Sequence, residues 1–192
     1  MARPKAFDRE TALQGAIPVF SDLGYDGTST EVLLKAMGIS RQSMYDTFGD
    51  KRKLYLEALQ YYVAGSVAEQ IRVLNGASSP LKGIEAMLNA MAAKPSTDAE
   101  PGCLGIGAIC EFGRSDAEVS LLTDTAGRTL LSAIERRITE AKAAGEIGKA
   151  VDTRDAAQFV SATLSGLKIA ARGGASAETL RGVVKVAVRS LK

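Results

Sequence analysis

The sequence predicts an all-α protein of about nine helices. Apolar residues recur at three- and four-residue steps along most of the chain, which is the spacing of one helix face. Serine, threonine and aspartate stand where these segments begin and glycine where they end, as helix caps require. No window combines alternating polarity with the β-branched enrichment of strands.

The first predicted helix covers residues 8–23. Asp8 is a suitable N-cap and Gly24 a suitable stop. Pro18 lies inside this segment, where it removes a backbone donor and crowds the preceding turn. We therefore expect a local kink or an early 3₁₀ turn at this proline.

Two short helices follow. A capping-box pattern, Thr28–Glu31, opens a helix that ends near Met37. Gly38 suits a positive φ after this helix, and Ser40 caps a third helix over 41–48. Two short helices joined by a tight glycine-containing turn predict a helix-turn-helix, whose second helix enters the major groove of DNA.

Six longer segments complete the helical plan. The one after Gly102 is apolar and rich in glycine and alanine, so we expect it to be buried, and Ser115 begins a second capping box. The six predicted segments are 51–75, 81–91, 102–113, 115–145, 152–171 and 177–191.

Composition excludes several chemistries. The chain contains no histidine, which removes Ser-His-Asp and Cys-His catalysis and histidine-rich zinc ligation. Cys103 and Cys110 have no second pair of cysteines, so we expect two reduced thiols rather than a zinc site or a disulfide framework. No apolar run approaches the ~20 residues of a membrane span. We expect a soluble, cytoplasmic protein that carries no metal or cofactor.

The charge total does not by itself indicate a nucleic-acid partner. The formal net charge is +2, and residues 1–60 hold eight basic and eight acidic side chains. A nucleic-acid binder usually shows a clustered basic surface. Any attraction to DNA must therefore come from the placement of a few basic residues.

Several fixed spacings in the first 60 residues resemble a known signature. The segments are Gly24–Ser29, Ala36–Ser40, Tyr45–Phe48 and Lys51 with Leu54. Together they look like the DNA-binding signature of the tetracycline-repressor (TetR) family of bacterial transcriptional regulators. Leu34 departs from the pattern, which usually has a small alanine there, and suggests a slightly different packing between the two helices.

The resemblance implies a function and a domain plan. It implies a helix-turn-helix DNA-binding domain over residues 1–52 and a ligand-binding and dimerisation domain over residues 53–192. The expected protein is a transcriptional repressor, not an enzyme, that a small-molecule inducer releases from a palindromic operator.

The residues expected to contact DNA lie at the starts of the short helices and at the N-terminus. Arg41, Gln42 and Ser43 open the second helix of the motif, where arginine pairs with guanine and glutamine with adenine. Capping is an equally good explanation for Thr28. By resemblance, phosphate contacts are expected from Thr28, Ser29, Tyr45 and Lys51. Arg3 and Lys5 form a short basic arm that is expected to reach the minor groove.

The last two helices have broad apolar stripes. Such a helix pair often packs against its twin in a symmetric four-helix interface, and the resemblance also implies a homodimer. The alternative is that the stripes close the core of a single chain. The expected interface residues are Val160, Leu164, Leu167, Leu180, Val183, Val184, Ala187, Val188 and Leu191.

A ligand cavity is expected between the long fourth helix and the helices around residues 81–144. For each candidate, ordinary core packing is the stronger interpretation. Cys103, at the start of its helix, offers a second possible input, thiol-based sensing of electrophiles or oxidants, whereas Cys110 is expected to be inert. The candidate lining residues are Tyr62, Met87, Met91, Cys103, Ile106, Cys110, Phe112 and Phe159.

The competing class is a helical small-molecule binder or enzyme that does not act on DNA. The charged residues that could form such a site are Glu111, Glu140, Asp124 and Arg128. Their spacings are those of solvated or ion-paired helix faces.

Overall fold

A computed structural model describes residues 7–92 and 102–192 of the chain. Within these ranges the backbone forms nine α-helices and no strand, which confirms the predicted fold class. The helices are α1 (Arg9–Leu23), α2 (Thr30–Met37), α3 (Arg41–Phe48), α4 (Lys51–Asn75), α5 (Pro80–Ala92), α6 (Leu104–Phe112), α7 (Ala117–Ala143), α8 (Thr153–Arg172) and α9 (Ala177–Ser190).

The described residues form two compact units. The first contains residues 7–64 and 102–124, so it includes α1–α3, the first half of α4, α6 and the start of α7. It therefore holds more of the chain than the predicted segment 1–52. Its buried core is Ala12, Leu13, Ala16, Phe20, Leu33, Met37, Met44, Phe48, Leu54, Tyr55, Ala58, Leu59, Leu104, Ala108 and Val119.

The second unit contains residues 65–92 and 125–192. In this unit α5 packs against both α8 and α9, and these two helices pack on each other. Leu74, Ile84, Leu88, Ile134 and Ile138 are completely buried at its centre. Burial of about twenty apolar side chains in one cluster supplies the main driving force for folding of this unit.

The first helix, α1, is one continuous α-helix with the predicted N-cap. The Asp8 carboxylate accepts from the Thr11 amide at 2.7 Å, which confirms it as the N-cap. The α-helix passes through Pro18 without the expected 3₁₀ turn. Gln14, whose carbonyl the proline leaves without its usual helical donor, is exposed, so water can solvate that carbonyl.

Two predicted caps lie one residue from the observed ones. Ser29, not Thr28, accepts from the amide of the third following residue, at 3.3 Å. Asp116, not Ser115, does the same for α7, at 3.0 Å. The two displaced hydroxyls instead donate back to carbonyls of the preceding turn, Thr28 to Gly24 at 2.5 Å and Ser115 to the residue three before it at 2.7 Å. They close the turn before the helix.

The expectation that α6 is buried is wrong. Leu104 and Ala108, one turn apart, are buried, whereas Ile109 is 52% exposed and Cys110 is also exposed. Only one narrow stripe of this apolar helix therefore faces the core of the first unit. Its composition does not distinguish this stripe from the rest of the helix.

Candidate nucleic-acid interface

The α2–turn–α3 segment has helix-turn-helix geometry. Gly38 adopts a left-handed conformation with φ of 66°, and its amide donates to the carbonyl of Leu34. Ser40 then caps α3 by accepting from the Ser43 amide at 3.1 Å. The predicted C-terminal glycine and second N-cap are therefore confirmed, and the turn between the helices is fixed by backbone geometry as well as by packing.

One face of α3 is buried and the opposite face is exposed. Met44 and Phe48 pack in the core of the first unit. Arg41 and Gln42 are exposed at the start of the helix, Tyr45 is 45% exposed one turn later, and Ser43 is half-buried. The polar side chains predicted to read bases therefore share the solvent-facing side of α3 with Tyr45.

The residues expected to contact phosphates occupy different environments. Thr28 is 2% exposed and its hydroxyl is bonded to Gly24, so its side chain is closed off from a phosphate, contrary to the prediction. Ser29 is exposed at the N-terminus of α2, where backbone amides favour an anion. The Lys51 ammonium lies 4.3 Å from the centre of the Tyr25 ring, a cation–π contact. Arg3 and Lys5 lie outside the described residues.

A carboxylate from α6 supports the turn before α2. The Glu111 side chain accepts from the backbone amides of Tyr25 and Asp26, at 2.9 and 2.8 Å. Gly24 adopts φ of 71°, and a side chain at this position would lie 2.9 Å from the Glu111 carboxylate. The sequence predicted Glu111 only as part of the competing charged set and did not indicate this role, because partners some 85 residues apart leave no local pattern.

A second long-range contact fixes the start of α4. The Arg52 guanidinium donates to Asp116 at 2.7 Å and to Glu118 at 3.2 Å. The hydrogen bond from Arg52 lowers the pKa of the Asp116 carboxyl. Together with Glu111, these residues hold α6 and the start of α7 against the helices that carry the helix-turn-helix.

An aromatic cluster lies behind these contacts. The Tyr55 ring meets Phe20, Tyr25 and Phe112, with ring centres 5.0 to 5.6 Å apart. Tyr55 is completely buried, and within the part of the chain that the structure describes its hydroxyl has no hydrogen-bond partner. Burial is the main cause of the raised pKa of Tyr55.

The residues expected to line a ligand cavity are divided between the two units. In the first unit Tyr62, Ile106 and Cys103 are half-buried. The pKa of Tyr62 is raised, mainly because the side chain is buried and secondly because Cys103 lies beside it. Phe112 belongs to the aromatic cluster, and Cys110, expected to be inert and enclosed, is exposed.

Of the second-unit candidates, Met87 is buried, Met91 packs against the core and Phe159 is 43% exposed. An open cleft of about 680 Å³ lies in this unit, beside Lys82, Glu146 and Lys149. None of the eight candidates lines this cleft.

Eight of the nine residues expected at a dimer interface are buried within their own chain. Each is at most 7% exposed, because α8 and α9 turn these side chains towards α5. The alternative explanation, closure of the single-chain core, is therefore the correct one for Val160, Leu164, Leu167, Leu180, Val184, Ala187, Val188 and Leu191. Val183 is 45% exposed and stays available to a partner.

The four charged residues predicted for an alternative, non-DNA function do not come together in one site. Asp124 pairs with Arg114 and Glu140 with Arg137, each at 2.6 Å, and the Arg128 guanidinium donates to a threonine on its own helix. Among the described residues no group of three or more cysteine, aspartate or glutamate side chains could hold a metal ion. No helix in the same ranges has the length and apolarity to cross a membrane.

Comparison with known proteins agrees with this geometry. Residues 12–58 match the family model for bacterial regulatory proteins of the tetR family, and residues 80–186 match the model for the tetracyclin repressor-like C-terminal domain. The chain belongs to the TetR family. This TetR-family chain is therefore a DNA-binding transcriptional regulator, as its sequence predicts.

Two relatives and one solved structure illustrate the similarity. YezE of Bacillus subtilis, an uncharacterized helix-turn-helix-type transcriptional regulator, is 31% identical over the whole of both chains. The transcriptional repressor ComR of Escherichia coli is 26% identical over 97% of this chain and 90% of its own. A cysteine mutant of the regulator CifR, solved with 26-bp double-strand operator DNA, is 33% identical over the full length of both chains, with a TM-score of 0.86.

Proposed function

We propose that this TetR-family protein is a homodimeric repressor that binds a palindromic operator through α3 and is released by a small-molecule inducer. The exposed Arg41, Gln42 and Tyr45 on the solvent-facing side of α3 are the observation that carries the proposal. The operator DNA bound to CifR, a full-length relative, supports it. A repressor of this kind acts where the chromosome is, in the cytoplasm.

Arg41 and Gln42 suit direct readout of bases. At the N-terminus of a helix lying in the major groove, arginine pairs with guanine through two hydrogen bonds and glutamine pairs with adenine. Ser29, Tyr45 and Lys51 hold the register by contacting phosphates, which carry no sequence information. We keep Arg3 and Lys5 as the proposed minor-groove arm.

A second copy of the chain is proposed to cover an apolar stripe on α8 and α9. Phe159, Ala162, Gly166 and Ile169 are exposed along one face of α8. Val183 and Val186 are 45% and 56% exposed on α9. Val183 is the one residue of the predicted interface on this stripe, and the other eight lie on the opposite, buried face of these helices.

Release by an inducer follows from a difference in affinity. If the inducer binds more tightly to a dimer whose two α3 helices are spaced wrongly for DNA, the population shifts to that dimer and operator affinity falls by the same factor. The proposed site lies in the helical region after residue 53. Glu111 on α6 accepts from the turn before α2, and Arg52 on α4 donates to Asp116 just before α7. In this proposal these contacts pass a movement of α6 and of the start of α7 to the helix-turn-helix.

The DNA flanking the protein's own gene provides the first test. The wild-type protein should bind a specific site there, with affinity that falls steeply as salt rises. Arg41→Ala should cost about 1–3 kcal/mol at one base pair and little elsewhere. Arg72→Ala is a matched control, because Arg72 is also an exposed arginine paired with a glutamate. Equal losses in the two variants would contradict the proposal.

The dimer surface has a separate test. Val186→Glu should shift the protein towards monomer in sedimentation equilibrium at micromolar concentration, because it places a charge in the apolar stripe. Leu121→Glu is the control, since Leu121 is 64% exposed on a different helix and should leave the dimer intact. A dimer unchanged by Val186→Glu would exclude this surface.

A further inference from the structure

Both side chains that open α3 are held by carboxylates. The Arg41 Nη2 donates to Oε1 of Glu31, which lies near the start of α2. The Gln42 Nε2 donates to Oδ1 of Asp46 at 2.8 Å, one helical turn further along α3. These pairs lie on the surface that carries the proposed base contacts, so they bear directly on how bases are read.

Stability does not explain the pairing of Glu31 with Arg41. The exposed fractions of the two side chains are 70% and 53%. Water solvates and salt screens charges at this exposure, so such a pair adds little to the free energy of unfolding. A carboxylate at this place also repels the phosphates of bound DNA. A pair that adds little stability, on the surface that carries the proposed base contacts, points to a role in recognition.

The carboxylate is charged at neutral pH and well placed to restrain the guanidinium. Two hydrogen bonds lower the pKa of Glu31: the larger effect comes from its own backbone amide and the smaller from Arg41. The contact uses the Nη2 end of a planar fork with five N–H donors, so enough donors are left for a bidentate pair. Restraint before binding reduces the side-chain entropy that is lost when arginine meets a base.

We infer that Glu31 determines specificity by holding the Arg41 guanidinium in the orientation that pairs with one guanine, while opposing its attraction to phosphates. The inference rests on the proposed function, because it concerns how Arg41 reads the operator. Glu31 acts through Arg41 and is a positioning residue. It lowers the total affinity for DNA and increases the discrimination at one base pair.

The test compares base preferences in full-length variants. The preferred site of the wild-type protein is first selected from a randomised duplex library and sequenced. Affinities for that site, for the same site with the Arg41-dependent base pair exchanged, and for random duplex are then measured. The variants are Glu31→Gln, Glu31→Asp, Arg41→Ala and the double variant of Glu31→Gln with Arg41→Ala. Glu57→Gln is the matched control, because it removes a carboxylate from another Arg–Glu pair in the same unit, with Glu57 half-buried.

The wild-type protein should prefer its site over the exchanged site by about tenfold or more, the range expected of a bidentate pair. Glu31→Gln should lower this ratio at least about threefold while binding random duplex more tightly. Glu31→Asp should also lower it, since the shorter chain keeps the charge but loses the reach. In the Arg41→Ala background, Glu31→Gln should change the ratio no further. Glu57→Gln should leave it unchanged.

Two results would overturn the inference alone: a ratio unchanged in Glu31→Gln, or an equal decrease in the presence and absence of Arg41. A wild-type protein that selects no sequence would overturn the proposed function, and this inference with it. Thermal melting of each variant verifies folding, which these exposed positions should preserve.

Discussion

A single methyl group at Gly15 tests how closely α1 and α2 pack. A Cβ at this position would lie 2.7 Å from the carbonyl oxygen of Ala36 and 3.2 Å from the Cα of Met37. Both are backbone atoms, so no side chain can rotate away. To restore ordinary contact at 3.4 Å, α2 must retreat from α1 by roughly 0.7 Å. Gly15→Ala therefore displaces the first helix of the helix-turn-helix.

Two opposed contributions decide whether Gly15→Ala raises or lowers the free energy of unfolding. Alanine in a helix interior is favoured over glycine by about 1 kcal/mol. Overpacking a close contact costs about 1–3 kcal/mol, and the upper half of that range applies where backbone must move. Gly15→Ala should therefore destabilise the protein by about 1–2 kcal/mol. For a chain of this size the melting temperature should fall by about 2–8 °C.

The matched control is Gly127→Ala on α7. A Cβ at Gly127 meets no atom within 4 Å, so only the helix-propensity gain of about 1 kcal/mol applies. Urea denaturation at one protein concentration measures both changes, and they should have opposite signs. Operator affinity should fall in Gly15→Ala and stay constant in the control. A Gly15→Ala protein as stable as Gly127→Ala would refute the close approach of α1 and α2.

Three further predictions concern a buried hydroxyl, a long-range carboxylate and a helix cap. Tyr55→Phe should leave stability unchanged or raise it by about 0.5–1 kcal/mol in urea denaturation, because it removes a buried hydroxyl that has no partner in the described ranges. Glu111→Gln should lower the melting temperature and speed amide exchange at Tyr25 and Asp26, and unchanged exchange would contradict the bonding described. Asp152 caps α8, and the hydrogen bond from the Asp155 amide is the first cause of its lowered pKa. Its stabilisation is thus complete above the ordinary aspartate value of about 4 and is lost as pH falls through the folded value. Asp152→Asn should be less stable at pH 7 and show a smaller fall in melting temperature on acidification.

Local patterns predicted most of the helices and the helix-turn-helix. Asp8, Gly38 and Ser40 act within a few residues of themselves, so their caps and turns could be inferred from spacing. The caps at Ser29 and Asp116 were each missed by one residue, because the neighbouring hydroxyl competes by bonding back to the preceding turn. A capping-box pattern does not indicate which of two adjacent oxygens faces the helix.

The predictions for α8, α9 and α6 were wrong because the sequence does not show which way a helix face points. Periodicity showed that α8 and α9 have apolar stripes, but a stripe has the same sequence whether it meets its own chain or a partner. The structure turns Leu164 and Val184 inward and leaves Ile169 and Val186 exposed. The same difficulty affected α6, whose uniform apolar composition hid the exposure of Ile109.

The fold class, the position of the helix-turn-helix and the family follow from the sequence alone, because helix periodicity, caps and the signature spacings are local. The packed structure was needed to show which carboxylates bond to Arg41 and to the turn at Tyr25, and which faces of α8 and α9 are exposed. These outcomes depend on residues brought together from distant parts of the chain. Local spacing does not predict such contacts, because they depend on how whole helices pack against each other.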